Sequence, residues 1–146
     1  QIKEGGVLLS KNDRPKNLDR DFDFTDTPDL VQAFLVSCAV MGLDVEVRGI
    51  KSLKIKETDR ILAMQTELGK MGCRLEQINE DSARLITGEK LPATLHIKTY
   101  NDHRMAMAFA PLAFLIPDFY LEDIYVVSKS FPAFWEEIQK MGVEIS

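Results

Sequence analysis

Apolar and polar positions change period several times along the chain, and each change marks an element. Asp21-Phe22-Asp23-Phe24-Thr25 alternates with period two, the signature of a half-buried strand. The apolar positions of 29–41 are helical in spacing, with Thr27 as N-cap, Pro28 at the first helical position and Gly42 as terminator. Residues 43–47 alternate again. A helix over 57–71 puts Ile61, Met64, Leu68 and Met71 on one face and closes at Gly72. Residues 73–78 and 83–86 make a hairpin around Asn79-Glu80-Asp81. Leu95-His96-Ile97 is the next strand, a helix opens near Asp102, and 119–124 returns as a strand. Ser130 and Pro132 open a last helix that stops at Gly142, and 143–145 is a final strand. Ahead of all this, 7–10 reads as the end of a hairpin whose start is missing. Residues 11–19, with Pro15, read as a loop.

The order recurs in register. Asp29 lies 27 residues before Lys56, and Asp102 lies 27 before Lys129. Each Lys precedes a helix that ends in Lys-Met-Gly, at 70–72 and 140–142. We read two copies of a strand–helix–strand–helix–strand unit, the last lacking its second hairpin strand, in an α/β (α+β) fold. Two Asp and two Lys at matching helix starts would gather at one end of the molecule. That suits an anion, because helix N-termini present free N–H groups.

Composition narrows the classes. The 146 residues are 45% hydrophobic and 28% charged, enough for a real core. A net charge of −5 leaves no basic footprint for nucleic acid. The longest apolar run, 106–116, is too short for a bilayer and contains Pro111. No signal peptide is visible, and Cys38 and Cys73 lie in apolar periodic segments. They read as buried free thiols of a reduced, cytoplasmic compartment. No His, Cys or carboxylate spacing implies a metal. The chain starts at Gln1 with a strand-like piece, which reads as part of something longer.

The chemistry concentrates in three stretches. Tyr100-Asn101-Asp102-His103-Arg104 opens an apolar helix with a cation in its first turn, where the backbone dipole disfavours it. Asp102 or an anionic ligand should compensate Arg104; a structural Asp102–Arg104 pair fits equally well. Lys54-Ile55-Lys56-Glu57-Thr58-Asp59-Arg60 packs five charges at another helix start. Glu57 and Asp59 suit that first turn, and Glu57 could pair with Arg60. Taken alone, the stretch also fits a solvated helix start. Lys129-Ser130-Phe131-Pro132 adds a cation, and by itself it also fits a surface lysine beside a capping serine. Asp29, in a first turn, is where an ionised carboxylate is favoured. His96 reads as half-buried structure, and His103 is ambiguous.

Thr27-Pro28-Asp29, Lys56-Glu57-Thr58-Asp59-Arg60, Asn101-Asp102-His103-Arg104-Met105-Ala106-Met107 and Lys129-Ser130-Phe131-Pro132 come in this order. Together they resemble the C-terminal part of the 5-enolpyruvylshikimate-3-phosphate (EPSP) synthases, from about Phe22 onward. The related enolpyruvyl transferases for UDP-N-acetylglucosamine share that fold but not this charged set. The resemblance implies repeated βαβαββ units forming a partial C-terminal half. Residues 1–20 would end a preceding unit and loop, 21–88 would be one unit, and 94–146 a second, shortened one.

The resemblance also implies a reaction: transfer of the carboxyvinyl group of phosphoenolpyruvate to the 5-hydroxyl of shikimate 3-phosphate. The pathway leads to chorismate and aromatic amino acids, and no cofactor takes part. Asp29 resembles the acceptor of the hydroxyl proton, and Glu57 a carboxylate in proton transfer to the phosphoenolpyruvate carbon. Lys56 resembles a contact to shikimate 3-phosphate. Ser52, where some members carry asparagine, could donate a hydrogen bond to the same substrate. Arg60, Arg104 and Lys129 resemble the phosphoenolpyruvate contacts, where glyphosate binds in the family. Asp102 and His103 would orient these cations from behind. The implied partner is the N-terminal half of the same enzyme, in a monomer, with no membrane or nucleic acid involved. The piece alone would be inactive. The other reading open at this stage is a non-catalytic repeat domain that binds an anionic metabolite or serves assembly.

Overall fold

The structure is a computed structural model that describes residues 20–56 and 58–145, and residues 2–3 and 6–7 of an N-terminal strand pair. Strand β1 (Ile2–Lys3) runs antiparallel to β2 (Gly6–Val7), with Ile2 opposite Val7. The partner strand expected to be missing is therefore in the chain. Residues 8–10, the predicted loop 11–19 and Glu57 lie outside the described residues.

Strand β3 (Asp21–Asp23) is followed by a 3-10 turn (Pro28–Leu30) and helix α1 (Val31–Met41). Strand β4 (Val45–Arg48) lies parallel to β3, with Phe22 opposite Val47. A second 3-10 turn (Lys51–Ile55) leads to helix α2 (Arg60–Lys70). The hairpin of β5 (Arg74–Gln77) and β6 (Ser82–Ile86) then completes a four-stranded sheet in the order β3-β4-β6-β5. Val45 and Val47 oppose Leu85 and Ala83 across the β4–β6 pair, and all four are buried. Period-two alternation in the sequence becomes one covered sheet face in this way.

The second half repeats the opening. Strand β7 (Thr94–Ile97) is parallel to β8 (Asp118–Leu121) across helix α3 (His103–Phe109) and a 3-10 turn (Ala110–Phe114). Another 3-10 turn (Ile124–Lys129) precedes helix α4 (Phe134–Lys140). The main core joins both halves: Leu35 of α1, Met64 and Leu68 of α2, and Met105 and Phe109 of α3 are buried in it. A smaller cluster sets Ala106 of α3 against Val126 and Val127, with Trp135 beside them. No helix among the described residues is long and apolar enough to cross a membrane.

The mixed α/β class and the helical faces are as expected, and α1, α2 and α4 end at Gly42, Gly72 and Gly142, all with positive φ. The helix starts differ. Thr27 makes no side-chain cap; its carbonyl accepts from Leu30 N–H at 3.0 Å, which closes a 3-10 turn and leaves Asp29 inside it. Helix α2 begins at Arg60, not 57, because the Asp59 carboxylate accepts from Leu62 N–H at 3.0 Å and acts as the cap. Ser130 closes the turn before α4, its N–H donating to the Val127 carbonyl at 3.0 Å. Pro132 disfavours helical backbone at Phe131, so α4 starts two residues after the proline. Strand β8 stops at Leu121, since Asp123 turns the chain in a left-handed conformation. Pro111 ends α3 early by removing a donor, and Phe114 and Leu115 emerge exposed. Residues 143–145 form no strand: no ladder partner faces them among the described residues. His96 is exposed rather than half-buried, its ring against Tyr120.

Candidate active site

Three helix starts meet where α1, α2 and α3 pack together. The first residue of α2, Arg60, is almost wholly buried. Its Nε donates to Asp102 Oδ2 at 2.6 Å and its Nη2 to Asp102 Oδ1 at 3.3 Å. That two-point pairing matches the planar guanidinium to a carboxylate with no exposure of its own. Nη1 of Arg60 reaches the other way, to Asp29 Oδ1 at 2.8 Å.

Asp29 is the hub. Arg104 Nη2 lies 2.9 Å from Asp29 Oδ2, and Arg104 Nη1 donates to the Asp29 backbone carbonyl at 3.2 Å. Lys56 Nζ stands 3.9 Å from Asp29 Oδ1. The Asp29 side chain is 39% exposed, against 32% for Arg104 and 36% for Lys56, so this side of the cluster opens to solvent. Asp102 forms the closed side. It caps α3 by accepting from Arg104 N–H at 2.8 Å, and His103 Nδ1 lies 4.0 Å from Oδ1.

Arg104 is thus compensated by Asp29, not by Asp102 as the spacing in sequence had allowed. Once the Asp102 carboxylate folds onto its own helix start, its remaining lone pairs face Arg60 across the α2–α3 contact. The structure brings together Asp29, Lys56, Arg60, Asp102, His103 and Arg104. Lys129 is exposed at the end of the turn that packs on α3, and it makes no ion pair with the described residues. Ser52 is half-buried in the turn before Lys56, with no side-chain hydrogen bond to the described residues. The cysteines are free and buried, and burial pushes the Cys38 thiol up.

Sequence reasoning missed a second network beside the first. Glu67 of α2 is fully buried. Oε1 accepts from the Tyr100 hydroxyl at 2.7 Å; Oε2 accepts from Lys70 Nζ at 2.6 Å and from the Lys98 N–H at 3.2 Å. Burial, then the Glu67 carboxylate, pushes the Tyr100 phenol up to about 12, so it stays a donor at neutral pH. A signal was present: Glu67 sits among Met64, Leu68 and Met71 on the apolar face of α2, where a carboxylate needs partners.

Gln32 was missed as well. It lies one turn after Asp29, is 1% exposed, and neither amide atom has a hydrogen-bond partner among the described residues. Gln32→Met keeps the length and removes the unmet groups. It is expected to raise stability by about 1–3 kcal/mol in urea unfolding; a loss of stability would show that the amide has a partner.

The sequence profile of the EPSP synthases (3-phosphoshikimate 1-carboxyvinyltransferases) matches residues 1–138. The 3-phosphoshikimate 1-carboxyvinyltransferase of Bacteroides fragilis strain YCH46 is 46% identical over 148 aligned positions, covering 99% of this chain and 35% of that protein. The enzyme of the same name from Syntrophobacter fumaroxidans is 35% identical over 83% of this chain and 28% of its own length. Among solved structures, EPSP synthase from Acinetobacter baumannii superposes with a TM-score of 0.71 at 26% identity, over 82% of this chain and 28% of that one. The chain spans about a third of the length of the curated relatives it matches. With its strand–helix repeat, its Asp29 hub and these matches together, the chain belongs to the EPSP synthase family.

Proposed function

We propose that this chain is the C-terminal segment of an enzyme that transfers the carboxyvinyl group of phosphoenolpyruvate to the 5-hydroxyl of shikimate 3-phosphate. The observation that carries the reading is one carboxylate, Asp29, held by three cations of which two are partly open to solvent. In the reaction the 5-hydroxyl oxygen bonds to C2 of phosphoenolpyruvate and loses its proton to a base, while C3 gains a proton. The tetrahedral adduct then gives up phosphate and a methyl proton, which restores the double bond. Fixed cations aimed at the carboxylate and phosphate groups stabilise this charge without reorganising.

Each residue has a role in that scheme. Arg104 and Lys56 meet an incoming anion first. A phosphoenolpyruvate carboxylate that takes the Arg104 fork releases Asp29 from one of its partners, and the freed carboxylate serves as base for the 5-hydroxyl. Arg60 completes the phosphoenolpyruvate clamp and is fixed from behind by Asp102, with His103 beside it. Lys56 and Ser52 face shikimate 3-phosphate, Lys129 approaches phosphoenolpyruvate, and Glu57 moves protons at C3. The remaining contacts come from the N-terminal half of the enzyme, so the segment alone turns nothing over.

A second reading, a non-catalytic anion-binding repeat, draws on the same cluster, because Arg60 is buried and already engaged. One assay separates the two. Phosphate release is measured in the intact protein with both substrates, with each omitted, and in Asp29→Asn. Release that needs both and falls at least about a hundredfold in the variant is expected. Release that survives the substitution removes Asp29 as base. No release from the folded, intact protein leaves the binding reading.

A further inference from the structure

We infer that Glu67 and Tyr100 are positioning residues that set Arg104 through the turn between β7 and α3. The inference rests on the proposed use of Arg104 as an anion contact. Residues 60 and 67 are seven apart on α2, hence two turns apart on one face. From that face Arg60 grips Asp102, and Glu67 grips Lys98 N–H and the Tyr100 hydroxyl. One helix therefore holds both ends of the connection 98–102.

The connection needs holding. Tyr100 and Asn101 both have φ of 56°, a left-handed conformation that a side chain with a Cβ disfavours. The Asp102 N–H donates to the Thr99 carbonyl at 3.0 Å, which closes a tight turn around these two residues. No glycine eases it. The Tyr100 hydroxyl is the group that ties the strained residue to a rigid element, and Lys70, bonded to both Glu67 and the His96 carbonyl, braces the carboxylate. Relaxing the turn would rotate Asp102 off the Arg104 N–H and swing the start of α3, and the Arg104 guanidinium would leave Asp29.

Tyr100→Phe keeps the ring and removes the tie; Glu67→Gln keeps the shape and removes the charge. Both are tested in the intact protein. Amide exchange over 98–104 is expected to lose protection in both variants while 61–68 of α2 keeps its own. The KM for phosphoenolpyruvate is expected to rise about tenfold, because small displacements of a positioned group are costly, with the KM for shikimate 3-phosphate unchanged. Should Glu67→Gln fail to fold, Tyr100→Phe decides alone. Unchanged exchange over 98–104 overturns the inference whatever the enzyme does with substrate. Lost protection with an unmoved KM for phosphoenolpyruvate overturns it too, since the turn then does not act on Arg104. In a protein whose wild type shows no turnover, the equilibrium affinity for phosphoenolpyruvate replaces KM: a tenfold loss in the variants keeps the control of Arg104 and removes only the transferase reading, and an unmoved affinity overturns the inference.

Discussion

Asp102→Ala is expected to lower the unfolding free energy by roughly 3–5 kcal/mol, the cost of removing one member of a buried ion pair. Arg60 is 1% exposed and Asp102 0%. Removing the carboxylate takes away the acceptor that Arg60 Nε and Nη2 share where water does not reach, while Asp29 stays bonded to Nη1. The same change deletes the cap on Arg104 N–H, worth about 1 kcal/mol by itself. Asp102→Asn keeps an acceptor for that N–H and loses only the charge, so it should fall between wild type and the alanine variant. Urea unfolding of the three proteins checks the order. A loss below about 1 kcal/mol in Asp102→Ala would mean that Arg60 reaches solvent after a small shift, and the closed side of the cluster would have to be redrawn.

Gly49→Ala should cost about 2–5 kcal/mol, combining left-handed strain with overpacking. Gly49 has φ of +79°, and a Cβ there would clash with Thr25 N and stand 2.6 Å from Thr25 Cα and 2.7 Å from the Phe24 carbonyl carbon. All three are backbone atoms, so no side chain can swing aside. The segment that must move leads directly into the turn carrying Asp29, and the proposed phosphate release by the intact protein should fall with stability. Gly42→Ala is the control: φ is +65° but nothing lies within 4 Å, so only the strain of about 1–2 kcal/mol remains. Equal midpoints for the two variants in thermal or urea unfolding would refute the close approach at Gly49.

The strands and helices were legible because each carries its own period. Phe22, Val45 and Val47 alternate, and Ile61, Met64 and Leu68 repeat along one helical face, so short windows sufficed. The six residues that cluster, Asp29, Lys56, Arg60, Asp102, His103 and Arg104, all stand in motifs near helix starts that the sequence displays. Their pairing was not. Arg104 and Asp29 are separated by 75 residues, and which carboxylate each arginine takes depends on how α1, α2 and α3 pack. The 3-10 turns at Pro28–Leu30, Lys51–Ile55 and Ile124–Lys129 also escaped, since a few residues carry no periodicity to read. They moved Thr27 and Ser130 out of the capping roles that their residue types favoured. Glu67 escaped because a carboxylate on an apolar face declares a need for partners without naming them.

The two anchors on α2 bear on how the molecule comes apart. In stacked repeats each unit usually contacts its neighbour through apolar surface, and a terminal unit can fray while the rest persists. Here helix α2 supplies a buried arginine and a buried glutamate to the β7–α3 part of the chain, at Asp102 and at Tyr100. Opening either half alone would break the buried bonds that Arg60 and Glu67 make across the boundary. The halves are thereby bound into one cooperative block, and the charged cluster around Asp29 at their seam persists for as long as the block does.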